Sequence, residues 1–440
     1  MNRITFWAIT IALAGFLFGF DTAVISGAEQ SIQKLWGLSD VRHGFAMAIA
    51  LYGTVLGALI GSWPADKFGR KKTLVYIAIL YFISAIGSAL APEVNSFMVF
   101  RFIGGIGVGA SSVVAPIYIS ELSPSHKRGR LVAVFQLNIV AGIFIAYLSN
   151  FLIGQAGDFG WRWMIGIESI PALLFLAFVF SVPESPRWLV SKLNDIEGAK
   201  RILKIIDPKK VDETLAAIKE SLREIPAKRF SFELFSKKYA FPMMLAILFA
   251  MFNQLTGINA IIYYSPRIFD LTGIGADSAL LSTVGIGLIN LVFTLVGMAV
   301  IDRYGRKSLM YFGSVGLILV LGLISRAFYL EIFHTVPYLL FVYIGFFALS
   351  QGAVIWVFIS EIFPNRVRAS GQSVGSFTHW LMAAIMTNVF PVLVNKFNGG
   401  PIFLFFFVMM IFQLIFVWRL MPETKNLSLE DLGKRLIRKK

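Results

Sequence analysis

Three ionisable side chains stand inside runs of sequence that are otherwise apolar: Asp21, Arg101 and Glu168. An isolated charge at lipid depth costs roughly 2.5–3.5 kcal/mol or more. Three separate burials would therefore be expensive, and one shared cluster is cheaper. A carboxyl beside a guanidinium holds its charge, whereas a carboxyl desolvated without that partner takes up a proton. If Asp21 and Arg101 are brought together and separated in turn, Asp21 can load and release a proton, with Glu168 as a neighbouring acid. The same residues would also serve as a static structural ion pair.

A second group is neutral. Gln136, Gln254, Asn259 and Asn290 lie in apolar runs, as do Tyr263, Tyr264, Trp356 and Trp380. Side-chain amides donate and accept at once, and aromatic faces cover apolar surface, so the set suits an uncharged, hydroxyl-rich solute. The other use of a buried amide is to join helices, worth about 0.6 kcal/mol each in a bilayer; Asn138 and Asn388 are left to that reading. Thr256-Gly257-Ile258-Asn259 interrupts its run, because Gly can break a helix and expose backbone groups at mid-membrane.

The elements that must position these residues follow from hydropathy. The chain has 440 residues, 57% of them hydrophobic and 15% charged, too much apolar surface for a water-soluble fold of this size. A spanning helix needs roughly 20 apolar residues. That template places spans at 6–26, 44–65, 73–92, 97–118, 131–152, 163–182, 240–265, 276–301, 308–330, 337–359, 370–394 and 401–421. Of the 40 Lys and Arg, 33 fall in connections on the side of the N-terminus and 6 on the other. This bias predicts both termini in the cytoplasm and accounts for the net charge of +15 without nucleic acid. The chain has no Cys and four scattered His, so no disulfide, metal site or cofactor is expected. Residues 183–239 are charged and read as a cytoplasmic linker with short amphipathic helices at Ile196–Ile206 and Val211–Leu222. The expected organisation is an N-terminal six-helix bundle (1–182), the linker (183–239), a C-terminal six-helix bundle (240–421) and a cytoplasmic tail (422–440).

The halves repeat each other. Asp66-Lys67-Phe68-Gly69-Arg70-Lys71 after the second span corresponds to Asp302-Arg303-Tyr304-Gly305-Arg306-Lys307 after the eighth. Ser120-Glu121 with Arg128 and Arg130 corresponds to Ser360-Glu361 with Arg366 and Arg368. Pro183-Glu184-Ser185-Pro186-Arg187 corresponds to Pro422-Glu423-Thr424-Lys425. Positive residues alone would set orientation, and the acidic partners add nothing to it. Asp66, Arg70, Glu121, Arg130, Glu184, Arg187, Asp302, Arg306, Glu361, Arg368 and Glu423 are therefore expected to form a cytoplasmic latch of ion pairs. A duplicated pair of bundles rocking about a central site follows from such a repeat.

These motifs, with Arg101-Phe102-Ile103-Gly104-Gly105-Ile106-Gly107-Val108-Gly109 and Gln254-Leu255-Thr256-Gly257-Ile258-Asn259, resemble those of the sugar porter family of the major facilitator superfamily over essentially the whole chain. Ser62 and Met298 stand where the family's loop motif opens with Gly, and Gly61 and Gly297 lie one residue earlier. The resemblance implies an all-α membrane protein with twelve spans in two pseudo-symmetric six-helix bundles. It implies sugar binding by Gln136, Gln254, Asn259, Asn290, Gly352, Trp356 and Trp380, with Tyr263 as a gate. Tyr264 is placed with the gate, and Phe18 is a candidate for the wall near Asp21. Asn253 replaces the first Gln of a Gln-Gln pair, and His379 replaces an Asn or Gln before Trp380; both are read as substrate-site liners. Proton-coupled members carry acids at the positions of Asp21 and Glu168, so the expected activity is proton-driven monosaccharide symport by a monomer. The alternatives are a passive sugar uniporter and a proton-coupled inositol or polyol carrier. The short loop at 28–42 lacks the cysteines of the plant symporters' lid, which suggests a bacterial inner-membrane protein. No span carries a hydrolase or metalloenzyme motif.

Overall fold

Lipid offers the backbone no hydrogen-bond partners, so an apolar chain of this kind must satisfy its own N–H and C=O groups in continuous helices. The computed structural model describes residues 3–124, 126–154, 159–224, 232–364 and 367–425. Arg366 and the tail beyond residue 425 lie outside the described residues. Among those described there is no strand. Twelve segments are long and apolar enough to cross a membrane: Arg3–Leu35, Asp40–Ile60, Arg70–Leu90, Val94–Glu121, Arg128–Ile153, Gly160–Val179, Lys237–Asp270, Ala276–Tyr304, Arg306–Tyr329, Phe333–Glu361, Ser370–Phe397 and Gly399–Arg419, hereafter spans 1 to 12. Their outer faces carry exposed apolar side chains such as Leu59, Leu90, Leu319, Phe412 and Trp418, a surface that suits lipid and not water.

The main departure from the hydropathy template is span 1. It continues past Ser26 to Leu35, so the connection to span 2 is only a few residues long and Glu29 is a buried residue within the helix. The linker helices form at Ile196–Ile206 and Val211–Glu224. Asp195 caps the first, its carboxylate accepting from the Gly198 N–H at 2.8 Å. Ala199, Leu203 and Leu215 then pack on Trp188, Leu189 and Val190.

The chain divides into two compact units. The first comprises Met1–Asp21, Tyr52–Ile143 and Ile165–Lys228; the second comprises Thr22–Leu51, Phe144–Met164 and Arg229–Lys440. In the first unit, spans 1 and 5 approach so closely that a methyl on Gly19 would lie 1.9 Å from the Ile139 carbonyl oxygen. The shifted glycines of the loop motif keep close contact too. A methyl on Gly61 would lie 2.7 Å from Ala110 Cα in the first unit, and one on Gly297 would lie 3.1 Å from Ala353 Cβ in the second.

Span 7 breaks where the sequence indicated. Gly257 has φ +87° between helices Ala240–Leu255 and Ile258–Asp270. The freed groups find partners: Thr256 Oγ1 accepts from the Ile258 N–H at 3.1 Å, and Tyr343 donates its hydroxyl to the Thr256 carbonyl at 3.0 Å. A side chain at Gly257 would be in the left-handed region, at a cost of roughly 1–2 kcal/mol, and its Cβ would stand 2.4 Å from the Phe406 ring. Gly257→Ala should lower the unfolding temperature of detergent-purified protein by several degrees. Gly129→Ala, where nothing lies within 4 Å, should not lower it. Differential scanning fluorimetry compares the two.

Candidate functional site

Asp21 stands against span 4 where a glycine faces it: a methyl on Gly104 would lie 3.8 Å from Asp21 Oδ1. In the first unit Arg101 donates from Nη1 to Asp21 Oδ1, and from Nη2 to the Asp21 carbonyl at 3.2 Å. Both residues are buried, Asp21 at 2% and Arg101 at 1% exposure. Glu168 on span 6 is fully buried and within electrostatic reach of both Asp21 and Arg101. Its carboxylate oxygens have no hydrogen-bond partner among the described residues. The three intramembrane charges read from the sequence thus form one cluster. It holds two acids and one guanidinium, so one carboxyl is most cheaply kept protonated. The neighbouring Tyr81 hydroxyl engages Ser111 Oγ at 3.2 Å. Phe18 is buried at 8% exposure, three residues before Asp21.

The second unit gathers the neutral group. Gln254 Nε2 donates to Asn253 Oδ1 at 2.9 Å and faces the His379 ring nitrogens at 3.2 and 3.3 Å. Asn259 Nδ2 donates to Gln254 Oε1 at 2.5 Å. The helix break at Gly257 places Gln254 and Asn259 side by side across the gap, which five residues of unbroken helix would not do. Asn253 Nδ2 is buried without a partner among the described residues, a free donor in the cluster. Trp356, His379 and Trp380 form an aromatic wall. His379 lies 4.8 Å from each indole, the two indoles stack at 6.4 Å, and His379 meets Trp380 edge-on. Gly352 ends a π-helical turn, Ala348–Gly352, just before Trp356. Asn290 on span 8 is buried, its Oδ1 accepting weakly from Thr294 at 3.5 Å.

Tyr263 and Tyr264 are both buried. Tyr264 sits at a second deviation in span 7, with φ −122° and ψ 21°; it stacks on Phe390 and donates to the Thr387 carbonyl at 3.0 Å. Gln136 belongs to the first unit, half-buried on span 5. Asn138 donates to Val134 O one turn back, consistent with a helix-satisfied amide.

The duplicated charged motifs build the same cluster twice, each within one unit. Arg70 pairs with Glu121 at 2.9 and 3.0 Å and reaches Asp66 at 3.4 Å. Arg306 pairs with Glu361 at 2.8 and 3.2 Å and with Asp302 at 2.9 Å. Glu184 accepts from the backbone N–H groups of Arg70 and Lys71, and Glu423 from those of Arg306 and Lys307. Burial pushes the Glu184 carboxyl up, while the donors of Ser185, Lys71 and Arg70 draw it down. Arg130 and Arg187 make no ion pair among the described residues, and Arg368 donates to the Phe363 carbonyl. The network among the described residues is therefore narrower than the motif, centred on Arg70 and Arg306.

Sequence reasoning missed a further buried group: Glu29, His43 and Arg267 in the second unit. Glu29 fell just past the apolar window, and Arg267 counted only as a charge in a connection. A 33-residue first helix brings them inside.

Twelve apolar spans holding a buried acid–guanidinium cluster and a buried amide–aromatic cluster define a secondary transporter. A family model described as "Sugar (and other) transporter" matches residues 7–435. The D-xylose-proton symporter of Escherichia coli K12 is 35% identical, with 98% of this chain and 96% of that protein covered. The D-xylose transporter of Levilactobacillus brevis is 37% identical (97% and 94% covered). The E. coli xylose transporter in an inward-open conformation superposes with a TM-score of 0.87 at 33% identity, covering 97% of this chain and 98% of that one. The chain belongs to the sugar porter family of the major facilitator superfamily.

Removing one member of a buried ion pair strands the other, at about 3–5 kcal/mol. Arg101→Leu should therefore destabilise the protein strongly, and Arg101→Leu combined with Asp21→Asn should recover much of the loss. Thermal unfolding in one detergent measures both.

Proposed function

We propose that this chain is a proton-coupled symporter of a monosaccharide, working by alternating access, with Asp21 as the proton-carrying group. The observation that supports this most is the buried Asp21–Arg101 pair beside Glu168. Paired with Arg101, Asp21 is ionised; once protonated it no longer needs the guanidinium, and Arg101 is free to shift with the conformational change. A passive carrier has no use for two buried acids and a cation that must be neutralised at cost. The relatives agree in kind, being named for D-xylose-proton and arabinose-proton symport.

The sugar is bound through the amides of Gln254, Asn259, Asn290 and Asn253 and against the Trp356–Trp380 wall. His379 acts as a neutral hydrogen-bonding liner held by Gln254. Each of these groups can both orient a hydroxyl and release it, as a carrier requires. Tyr263 and Tyr264, on the outer part of span 7, act as its gate. The positive bias of the loops sets both termini in the cytoplasm of a bacterial inner membrane, and the carrier works as a monomer. The Arg70 and Arg306 clusters brace the cytoplasmic ends of the spans. The chain carries its solute unchanged, without enzymatic chemistry or cofactor.

One proton moving through 100 mV supplies about 2.3 kcal/mol, enough for roughly fifty-fold accumulation before any pH gradient is added. In proteoliposomes the wild type should accumulate radiolabelled sugar under an inside-negative potential and take up protons with it; a panel of xylose, glucose, galactose, arabinose and inositol identifies the solute. Asp21→Asn should equilibrate that solute without accumulating it. Accumulation with proton uptake in Asp21→Asn would overturn the assignment.

A further inference from the structure

The coupling cluster leaves unused a second set of buried charges, at the ends of spans 1, 2 and 7 away from the chain termini. Glu29 and His43 side chains are fully buried. His43 Nε2 meets Glu29 Oε2 at 2.7 Å. Arg267 donates from Nε to Glu29 Oε1 at 2.9 Å and from Nη2 to Oε2 at 2.7 Å, and it also reaches Gln33 Oε1 at 2.5 Å. One carboxylate thus joins three spans. An open cleft of about 490 Å³, lined by Gln33, Lys34, Arg267, Asp270 and Asn395, reaches the guanidinium.

The hydrogen-bond roles fix the protonation pattern. A carboxylate held by Arg267 can only accept, so His43 Nε2 must carry the hydrogen. That leaves Nδ1 as the bare nitrogen, and it is buried without a partner among the described residues. The surroundings hold no nearer acid for an imidazolium. Span 7 contributes Arg267, the Tyr264 ring at 6.3 Å and, beyond them, Asp270, which is held by Gln30 Nε2 at 2.7 Å. Span 2 itself contributes Asp40, already bonded to Gln33 and Asn395. Span 11 meets span 2 beside His43 through the Asn388 backbone at Gly44.

We infer that Glu29, His43 and Arg267 form a second proton-binding site, a latch that is closed when His43 is neutral and loosened when it is protonated. A proton adds to Nδ1, no bond is broken, and the resulting imidazolium claims Glu29 Oε2, the oxygen that Arg267 Nη2 also uses. The buried cluster then carries one uncompensated positive charge, which separation of span 7 from spans 1 and 2 relieves. On the orientation proposed above this end faces the outside, so external acid opens the carrier toward the protons and solute it takes up. The latch is separate from Asp21 and does not require it to be the coupling group.

The chain has no cysteine, so paired spin labels attach only where they are placed. Labels at Ser31→Cys, near the end of span 1, and Gly275→Cys, just past the end of span 7, both exposed positions, report the separation of those spans by double electron–electron resonance in nanodiscs. As the pH falls from about 8 to about 5, the labelled protein should move from a short to a longer distance. His43→Gln, which keeps a neutral donor to Glu29, should stay short throughout, and Arg267→Gln should be long even at pH 8. A distance that ignores pH, a His43→Gln variant that opens with acid as the parent does, or a short Arg267→Gln distance each overturns the proposal. None of these results bears on sugar accumulation through Asp21.

Discussion

A carboxylate and a guanidinium at lipid depth are tolerable only together, and the first unit is arranged so that they meet. Asp21 and Arg101 come from helices 80 positions apart in sequence. Span 1 lies against the backbone of span 5 at Gly19, and Gly104 on span 4 leaves room beside Asp21. With Glu168 alongside, the cluster holds one negative charge too many for its single cation. That imbalance favours a neutral acid in the cluster, since one guanidinium cannot balance two buried carboxylates. A matched pair could stay static. Two acids and one guanidinium leave one acid without a counter-charge, and the proposed coupling uses that shortfall.

The second unit applies the opposite rule to its polar groups. Gln254, Asn259, Asn253 and His379 carry no formal charge in their observed arrangement and bond chiefly to one another. Their alignment depends on the discontinuity at Gly257, which turns two segments of span 7 so that amides five residues apart face each other. Amides satisfied by other amides can exchange partners for the hydroxyls of a solute at little net cost, and Asn253 Nδ2 already has a donor to spare. Trp356 and Trp380 supply the apolar face. Charge is thus concentrated in the acid–guanidinium cluster of the first unit and kept out of the amide–aromatic cluster of the second.

Much of this was legible in the sequence, for identifiable reasons. Hydropathy marks helical spans because a long unbroken apolar run in lipid must satisfy its backbone within itself, and the repeat of Asp66–Lys71 at Asp302–Lys307 announces the duplication. A Gly between Gln254 and Asn259 signals the break by its chemistry. Asp21, Arg101 and Glu168 stood out because apolar neighbours surround them. The same contrast hid Glu29, His43 and Arg267: each lies at the margin of an apolar run, where a charge looks like a loop residue. Only the continuation of helix 1 to Leu35 places Glu29 inside. The breadth of the ion-pair networks was overread for a related reason. Motif spacing shows which charges are near each other, but not which of them pair, as Glu121 does with both nitrogens of Arg70.

The central claim is that sugar cannot cross productively without its proton. The steady-state ratio of sugar across liposomes bearing the wild-type protein, measured as the potential is stepped with potassium and valinomycin, tests this most directly. A proton-coupled carrier gives a ratio that climbs with inside-negative potential, tenfold for about 59 mV for each proton carried with the sugar. A ratio that stays at unity at every potential, while sugar still exchanges rapidly, would contradict it.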